Sequence, residues 1–178
     1  MYKVKFLDGS VKEFKTLKGA DLERADLEDA DLEEANLKNA NLERANLRSA
    51  NLKNANLKNA NLRCAYLKDA ILIGAILSGV NFTDADLRYA NLSDADLIGA
   101  NLRGADLDGA NLFNTNILTF QLGKHYAFYH EGYLQIGCKG YSLEYWFENI
   151  TSIGDDNNYT EAEIALYKAM ITLIKDHA

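Results

Sequence analysis

The chain has 178 residues, no proline, a net charge of −7 and a pI near 5.0, which allows one domain or a domain with an appendage. The acidic balance argues against direct binding of nucleic acid, since phosphate contacts need clustered Lys and Arg. No apolar run approaches the ~18 residues of a membrane span, and the first five residues lack the apolar region of a signal peptide. We therefore expect a cytoplasmic protein with no membrane contact.

Residues 1–19 predict a small β-hairpin. Residues 2–6 alternate between apolar and polar side chains, Asp8-Gly9 is a hairpin turn signal, and residues 11–14 form a second short strand. We expect this hairpin to cover the first coil of the repeat that follows, because an open coil end presents unpaired backbone groups. Leu17 matches one further leucine site of that repeat.

Residues 20–119 are twenty consecutive five-residue units based on Ala-(Asp/Asn)-Leu-X-X. The departures are Val80 and Thr115 at the alanine site, Phe82 and Ile117 at the leucine site, and Tyr66, Ile71 and Ile76 at the Asp/Asn site. A period of five suits neither an α-helix nor a straight strand, since successive leucines would point in different directions in both. Leucine faces inward in every unit only if each unit contains a fixed bend. The chain must then wind into a coil, and the coils must stack to bury their apolar sides.

This run resembles the pentapeptide-repeat proteins, whose motif places Asp or Asn between a small residue and Leu or Phe. The resemblance implies a mainly β fold, a right-handed quadrilateral parallel β-helix with four units per coil. Residues 20–119 would then make about five coils, stacked at the spacing of roughly 4.8 Å between strands.

Residues 120–178 break the repeat and predict a C-terminal α+β cap, a β-hairpin followed by two helices. The hairpin joins residues 125–130 to residues 133–138. Ser142 is expected to cap a short helix that runs from Leu143 to Ile150.

A loop is predicted over residues 154–158, because Gly, Asp and Asn cluster there. Thr160 and Glu163 have the spacing of a capping box, which would begin a final helix that ends near Asp176.

About 59 residues is marginal for independent folding, so we expect this segment to dock on the last coil or to meet a second copy of the chain. The stretch from Ile136 to Trp146 resembles the C-terminal cap of pentapeptide-repeat proteins of phage and prophage type. The side chains expected to make cap or homodimer contacts are Trp146, Phe147, Leu166, Met170 and Leu173.

The residue types that carry chemistry are few and scattered. The three histidines, His125, His130 and His177, have no metal-type spacing, and neither do the two cysteines, Cys64 and Cys138. Residues 155–158 offer oxygen ligands without the calcium-loop pattern. We therefore predict no catalytic residue, no cofactor, no metal site and unpaired thiols.

Departures from the repeat mark a candidate surface. Stacking at intervals of twenty residues puts Ile71, Ile73 and Ile76 in columns that are otherwise mostly polar, with Tyr66 around a corner. Exposed isoleucines at polar sites favour a patch for a protein partner or for self-association. Neutral drift and a local distortion of the coil are alternatives that the sequence leaves open.

Two functions from different classes remain. The first is a non-enzymatic structural or protein-interaction module, a rigid solenoid that displays a surface to an unidentified protein partner. The second follows from the resemblance, since some pentapeptide-repeat proteins inhibit or protect DNA gyrase: a DNA-mimic regulator or inhibitor of gyrase or topoisomerase. A mimic needs a continuous negative face, whereas residues 38–63 carry a local charge of +5 between the acidic stretches 21–34 and 84–108.

Overall fold

A computed structural model of the chain describes residues 2–115, 117–122, 125–130, 132–136, 139–156 and 158–177. The chain divides into two compact units, residues 1–116 and residues 117–178. Each unit has its own secondary structure and its own buried residues.

The first unit begins with the predicted hairpin. Strand β1 (Tyr2–Phe6) pairs antiparallel with β2 (Val11–Phe14). Their turn is closed by the Ser10 N–H, which donates to Asp8 Oδ1 at 2.9 Å. The other edge of β1 pairs antiparallel with β3 (Ala25–Asp26), a short strand of the repeat. The hairpin therefore adds its backbone hydrogen bonds to the start of the repeat.

The repeat forms a parallel ladder with an offset of twenty residues. Asp21 bridges to Asn41, Asn41 bridges to Asn61, and the same parallel relation continues along the repeat to the bridge between Asn91 and Asn111. The Leu42 N–H donates to the Asn61 carbonyl at 2.7 Å, and the Asn41 N–H donates to the Ala20 carbonyl at 2.9 Å. One turn therefore contains four five-residue units, and the repeat is a parallel β-helix.

Each unit from residues 20–24 to residues 110–114 bends at its fifth residue, whereas Thr119, the fifth residue of the last predicted unit, lies in a strand. Arg44, at the end of one unit, has a left-handed φ of 56°, and Gly74 has 64° in the corresponding position. The bend is closed by the Ala45 N–H, from the first residue of the next unit, which donates to the Leu42 carbonyl at 3.0 Å. This bend is the fixed turn that a five-residue period requires.

The Asp/Asn site supports the bend with its side chain. Asn41 Oδ1 accepts the Glu43 backbone N–H at 3.3 Å, and the same contact two residues along recurs at Asn56 and Asn91. The Asn61 amide also donates to Asn41 Oδ1 at 3.1 Å, which joins neighbouring turns. Short polar side chains that bond their own backbone are favoured in turns for this reason.

The alanine and leucine sites form the core of the β-helix. Leu57, Leu62 and Phe82 are fully buried, and Val80 fills one alanine site without exposure. Leu17 is also buried, and the Ala20 N–H donates to its carbonyl at 3.1 Å, as in the regular units. The leucine register therefore begins before residue 20.

The second compact unit, residues 117–178, is an α+β segment with more strands than the sequence predicted. Its antiparallel sheet has the order β4 (Leu118–Leu122), β5 (His125–His130), β6 (Tyr133–Ile136) and β7 (Lys139–Ser142). The predicted hairpin is β5 with β6, and the second strand is described only to Ile136. Strands β4 and β7 were not predicted.

Two helices follow the sheet, and one of them corrects the sequence prediction. Helix α1 spans Leu143–Asp156 and α2 spans Glu161–His177. We predicted that α1 ends at Ile150 and that a loop begins at Gly154. Gly154 is instead buried inside α1, where a Cβ atom would lie 2.6 Å from Ile164 Cγ1 of α2. This glycine permits close helix packing and does not end the helix.

Both predicted helix caps are present. The Ser142 hydroxyl accepts the Tyr145 N–H at 3.2 Å at the start of α1. At the start of α2, the Thr160 N–H donates to Glu163 Oε2 at 2.8 Å, and the Glu163 N–H donates to Thr160 Oγ1 at 3.2 Å. This reciprocal pair is the capping box.

The inward assignment of leucine yields a first prediction. Leu62→Asp places a charge in the fully buried stack, so we expect the β-helix to lose more than about 3 kcal/mol of unfolding free energy. Lys58→Asp is the control at an exposed site and should be nearly neutral. Thermal and urea melts compare them, and equal effects would show that the inward assignment is wrong.

Gly154, which packs against α2, yields a second prediction, in which the sign of the change in unfolding free energy distinguishes two effects. Helix propensity alone predicts that Gly154→Ala stabilises α1 by roughly 1 kcal/mol. The contact with Ile164 predicts the opposite, a loss of about 1–3 kcal/mol from overpacking. Ser152→Ala, at an exposed position of the same helix, is the matched control and should be neutral or slightly stabilising. A stabilised Gly154→Ala in urea melts would contradict the packing argument.

Candidate interaction surface

The apolar residues singled out on the repeat are held on an intact ladder. Ile71 bridges to Asn51 and to Asn91, and its N–H donates to the Ala50 carbonyl at 2.9 Å. Tyr66 and Ile76 occupy equivalent bridges in their own columns. The apolar substitutions therefore cause no local distortion of the coil, which excludes one of the alternatives left open by the sequence.

These residues are exposed to different degrees and lie on successive sides of the β-helix. Tyr66, Ile71 and Ile76 are 41%, 39% and 40% exposed, and Ile73 is half-buried. Tyr66, Ile71 and Ile76 belong to consecutive units of one turn, so they point outward from three neighbouring sides. Only Ile71 and Ile73 share a unit.

Three more exposed apolar side chains extend this set. Phe113 is 74% exposed, Ile98 is 63% exposed and Tyr89 is 55% exposed. Phe113 lies in the same column as Ile73, forty residues further along the chain. The signal that marks it is the one used for Ile73, an apolar residue at a variable repeat position.

Tyr66 and Tyr89 share one side of the β-helix and Ile71 lies on another, and the two sides differ in whether charged side chains cover their apolar groups. The Arg48 guanidinium lies 4.7 Å from the centre of the Tyr66 ring, and Lys68 Nζ lies 5.6 Å from the centre of the Tyr89 ring. Cations over aromatic rings stabilise these side chains within the monomer. Ile71 and Phe113 are thus the less protected apolar groups.

We call the surface built by residues 30–34, 50–54, 70–74, 90–94 and 110–114 the Ile71 side. It is acidic at its start, where Asp31, Glu33 and Glu34 are exposed. Lys53 follows one turn later, and its Nζ lies 3.1 Å from Glu33 Oε1. After Ile71 and Ile73 the next exposed charge is Asp94, which accepts a hydrogen bond from the Asn114 amide at 2.7 Å.

Arg88 carries a charge that the monomer already neutralises. It donates two hydrogen bonds to Asp86, both of 2.8 Å, and its Nε lies 3.7 Å from Asp106 Oδ2. The hydrogen bond from Arg88 holds the pKa of Asp86 below its usual value, and the same bond raises the pKa of Arg88. The side of the β-helix that carries Tyr66 and Arg88 is therefore a poor site for an anionic ligand.

Of the candidate contact residues in the second compact unit, two are buried in its core and three are exposed at its surface. Trp146 is fully buried and its Nε1 donates to the Leu134 carbonyl at 2.7 Å, and Met170 is 6% exposed in the same core cluster. Phe147, Leu166 and Leu173 remain exposed.

A cleft of about 220 Å³ between α1 and α2 is lined by Phe147, Ile150, Lys168, Ile171 and Thr172. Lys175 Nζ lies 4.0 Å from the centre of the Phe147 ring, which partly covers this aromatic group.

The described residues contain no group of three or more His, Cys, Asp or Glu side chains that could hold a metal ion. Cys64 is a half-buried free thiol. His130 is buried in β5, and neither ring nitrogen has a hydrogen-bond partner among the residues described. Cys138 and the side chains of His125 and His177 lie outside the described residues. Within the described part of the chain, no helix is long and apolar enough to cross a membrane.

Comparison with known proteins identifies the repeat. The chain matches the family described as pentapeptide repeats (8 copies) over residues 16–88 and 90–117, in several overlapping segments. This match covers more than half of the 178 residues. No curated protein matches the chain.

Several solved structures are similar to part of the chain. A pentapeptide repeat protein of Nostoc PCC 7120 is 42% identical over 43% of this chain and 64% of its own, with a TM-score of 0.43. One from the thylakoid lumen of Arabidopsis thaliana is 31% identical over 56% and 66%, with a TM-score of 0.39. HetL of Nostoc, involved in the regulation of heterocyst differentiation, is 35% identical over 55% and 60%, with a TM-score of 0.26. The chain thus spans slightly less than two thirds of the length of these relatives.

The β-helical ladder and the family match agree on the same residues. The family implies a right-handed β-helix, and the unbroken twenty-residue bridges run through the matched segments. The chain belongs to the pentapeptide repeat family.

Proposed function

We propose that this chain is a non-enzymatic protein-interaction module that works in the cytoplasm. Its scaffold is a quadrilateral β-helix of about five turns, preceded in the chain by an N-terminal cap segment, residues 1–19, and followed by a C-terminal segment, residues 120–178. The observation that carries the proposal is the uninterrupted ladder through Ile71, because it holds exposed apolar groups at fixed positions on a rigid surface.

The filled interior supports the same proposal. The leucine and alanine sites between Leu37 and Leu92 are almost all fully buried and in contact with the ladder. Ligand pockets are clefts of hundreds of Å³ lined by convergent polar groups, and a stack of leucine and alanine side chains leaves no room for one. The outer surface is what such a scaffold offers to a partner, and the neighbouring apolar side chains Ile71 and Ile73 are the kind of feature that marks an interaction site.

The exposed side chains Phe147, Leu166 and Leu173 form a second proposed contact surface, on the C-terminal segment. They lie on the same two helices as the buried Trp146 and Tyr167. Phe147 and Leu166 are next to these buried residues in sequence and are therefore about 100° away around the helix axis. Each helix thus contributes to the core of its own compact unit and also presents apolar side chains at the surface.

The DNA-mimic alternative is less well supported. Lys53, Lys58 and Arg63 lie on three different sides of the β-helix in its basic region, so none of these three sides presents an uninterrupted row of negative charge. A protein that imitates duplex DNA needs regularly repeated negative charge along its length.

The surface proposal predicts the effect of restoring the repeat. Ile71→Asn with Ile73→Lys copies the residues that stand twenty positions earlier, Asn51 and Lys53. We expect the double variant to keep the melting temperature of the wild type and to lose the host protein that the immobilised wild type captures. Thr83→Lys, at a variable position on another side, should retain it. Capture that survives the double variant unchanged would place the binding surface elsewhere.

The weaker alternative has its own assay. In a gyrase supercoiling reaction, we expect neither inhibition nor protection from a gyrase-targeting drug at micromolar concentrations of this protein, because the basic region breaks the negative surface. Dose-dependent inhibition that is lost when surface Asp residues are changed to Asn would instead favour the DNA mimic.

A further inference from the structure

We infer that the Ile71 side binds a second copy of this chain, packed antiparallel about a two-fold axis at the level of Ile71 and Ile73. This inference rests on the proposed function, because it names the partner of the proposed surface. The partner is identified by the order of charged and apolar residues along that side.

The order of charges is self-complementary when one copy is reversed. Along the helix axis, the side presents three acidic residues, then Lys53, then the two isoleucines, then Asp94, then Phe113. A two-fold axis at the isoleucines sets Lys53 of each copy at the level of Asp94 of the other. Both of these side chains are exposed, so they are accessible across the contact.

The geometry of the ladder permits this pairing. Lys53 and Asp94 lie one layer, roughly 4.8 Å, on either side of the isoleucines. Ser93 occupies the column of Lys53, and Asp94 is the next residue, about 3.8 Å away along the chain. The flexible lysine side chain spans that offset, and Ile71 and Ile73 of each copy meet their own counterparts, as an isologous contact requires.

The acidic start of the side also decides the direction. In a parallel pair, Asp31, Glu33 and Glu34 would face the same three residues of the second copy, and like charges at short distance disfavour association. In the antiparallel pair, the same layer faces Asn111, Phe113 and Asn114. Phe113, the most exposed large apolar side chain among those described, then gains cover.

The other sides fit a second copy less well. On the side of Ile76, the same operation sets Lys58 opposite Ile98, and neither chain neighbour of Ile98 is acidic, so Lys58 gains no carboxylate partner of the kind that Asp94 offers to Lys53. On the side of Tyr66, the aromatic rings are already covered by Arg48 and Lys68. The side that contains residues 61–64 carries no exposed large apolar side chain among the residues described.

The size of the contact sets its strength. From Asp31 to Asn111 the side covers four layer steps, about 19 Å, and its five-residue units span at most about 16 Å. That area is well below the roughly 800 Å² per partner of a standard interface. We therefore expect weak self-association that rises with protein concentration and weakens with salt, since the charge pairs are exposed.

Charge reversal provides the test, using the full-length chain and analytical ultracentrifugation over a concentration series. In a symmetric pair, Lys53→Asp sets the introduced carboxylate against Asp94 twice, and Asp94→Lys sets the introduced ammonium group against Lys53 twice. We expect each single variant to raise the dissociation constant roughly tenfold or more. An equimolar mixture of the two variants contains only opposite charges across the contact and should associate like the wild type, as should the double variant.

Matched controls keep the result specific. Lys58→Asp and Asp96→Lys make the same charge changes on the neighbouring side, and neither the single variants nor their mixture should alter association. Ile71→Asn with Ile73→Lys should remove it. Thermal melts establish that every variant is folded, which matters because Lys53 pairs with Glu33 and Asp94 bonds Asn114.

The outcomes separate this inference from the proposed function. A monomeric wild type at all concentrations that still captures a host protein through Ile71 and Ile73 overturns the second copy and leaves the interaction module intact; a wild type that does neither overturns both. A dimer whose dissociation constant is unchanged by Lys53→Asp and by Asp94→Lys also overturns the inference. The same holds for a dimer that is weakened by Lys58→Asp or Asp96→Lys and restored when those two variants are mixed. Recovery on mixing the variants at 53 and 94 establishes it.

Discussion

The left-handed bend at the fifth residue of each unit is the constraint on which the rest of the structure depends. Fourteen non-glycine residues of the repeat adopt it, among them Arg44 and Asn59, although a left-handed conformation costs such residues about 1–2 kcal/mol. The hydrogen bonds on either side of the bend offset this cost, as where the Arg44 N–H donates to the Arg63 carbonyl at 2.9 Å. Because the bend recurs every five residues, leucine always faces inward. Residues twenty positions apart can then pair along the parallel ladder.

Because the ladder is formed by backbone hydrogen bonds, the fold does not dictate which side chains stand at the outward positions. The column of Asp31, Asn51, Ile71 and Asn91 keeps parallel bridges throughout, so the ladder accepts acidic, amide and aliphatic side chains alike. The Asp/Asn side chains add a bond to the turn, and that bond is dispensable where Ile71 stands. Binding properties are therefore set by side chains that the scaffold does not need, and departures from the repeat are the places to look for them.

The sequence predicted the repeat well because its information is local and periodic. The inward position of Leu62 and the capping box at Thr160 both follow from spacing alone. The length of α1 does not, since Gly154 is held in the helix by its packing against Ile164, a tertiary contact that outweighs local propensity. The burial of Trp146 likewise depends on its bond to Leu134. Tyr66 and Ile71 are close in sequence but lie on different sides, a separation that becomes visible only when the ladder is described.

The regular ladder also limits the ways in which two copies can meet. Side chains on the Ile71 side stand at fixed layer intervals, so antiparallel registers differ by whole steps. Moving the two-fold axis half a layer toward the start would set Glu33 and Glu34 beside Ser93 and Asp94 of the other copy, acid against acid. Moving it the other way would set Lys53 beside Phe113 and leave Asp94 beside Gly74. Only the register centred on Ile71 joins the isoleucines and pairs Lys53 with Asp94, so a small contact still selects one arrangement.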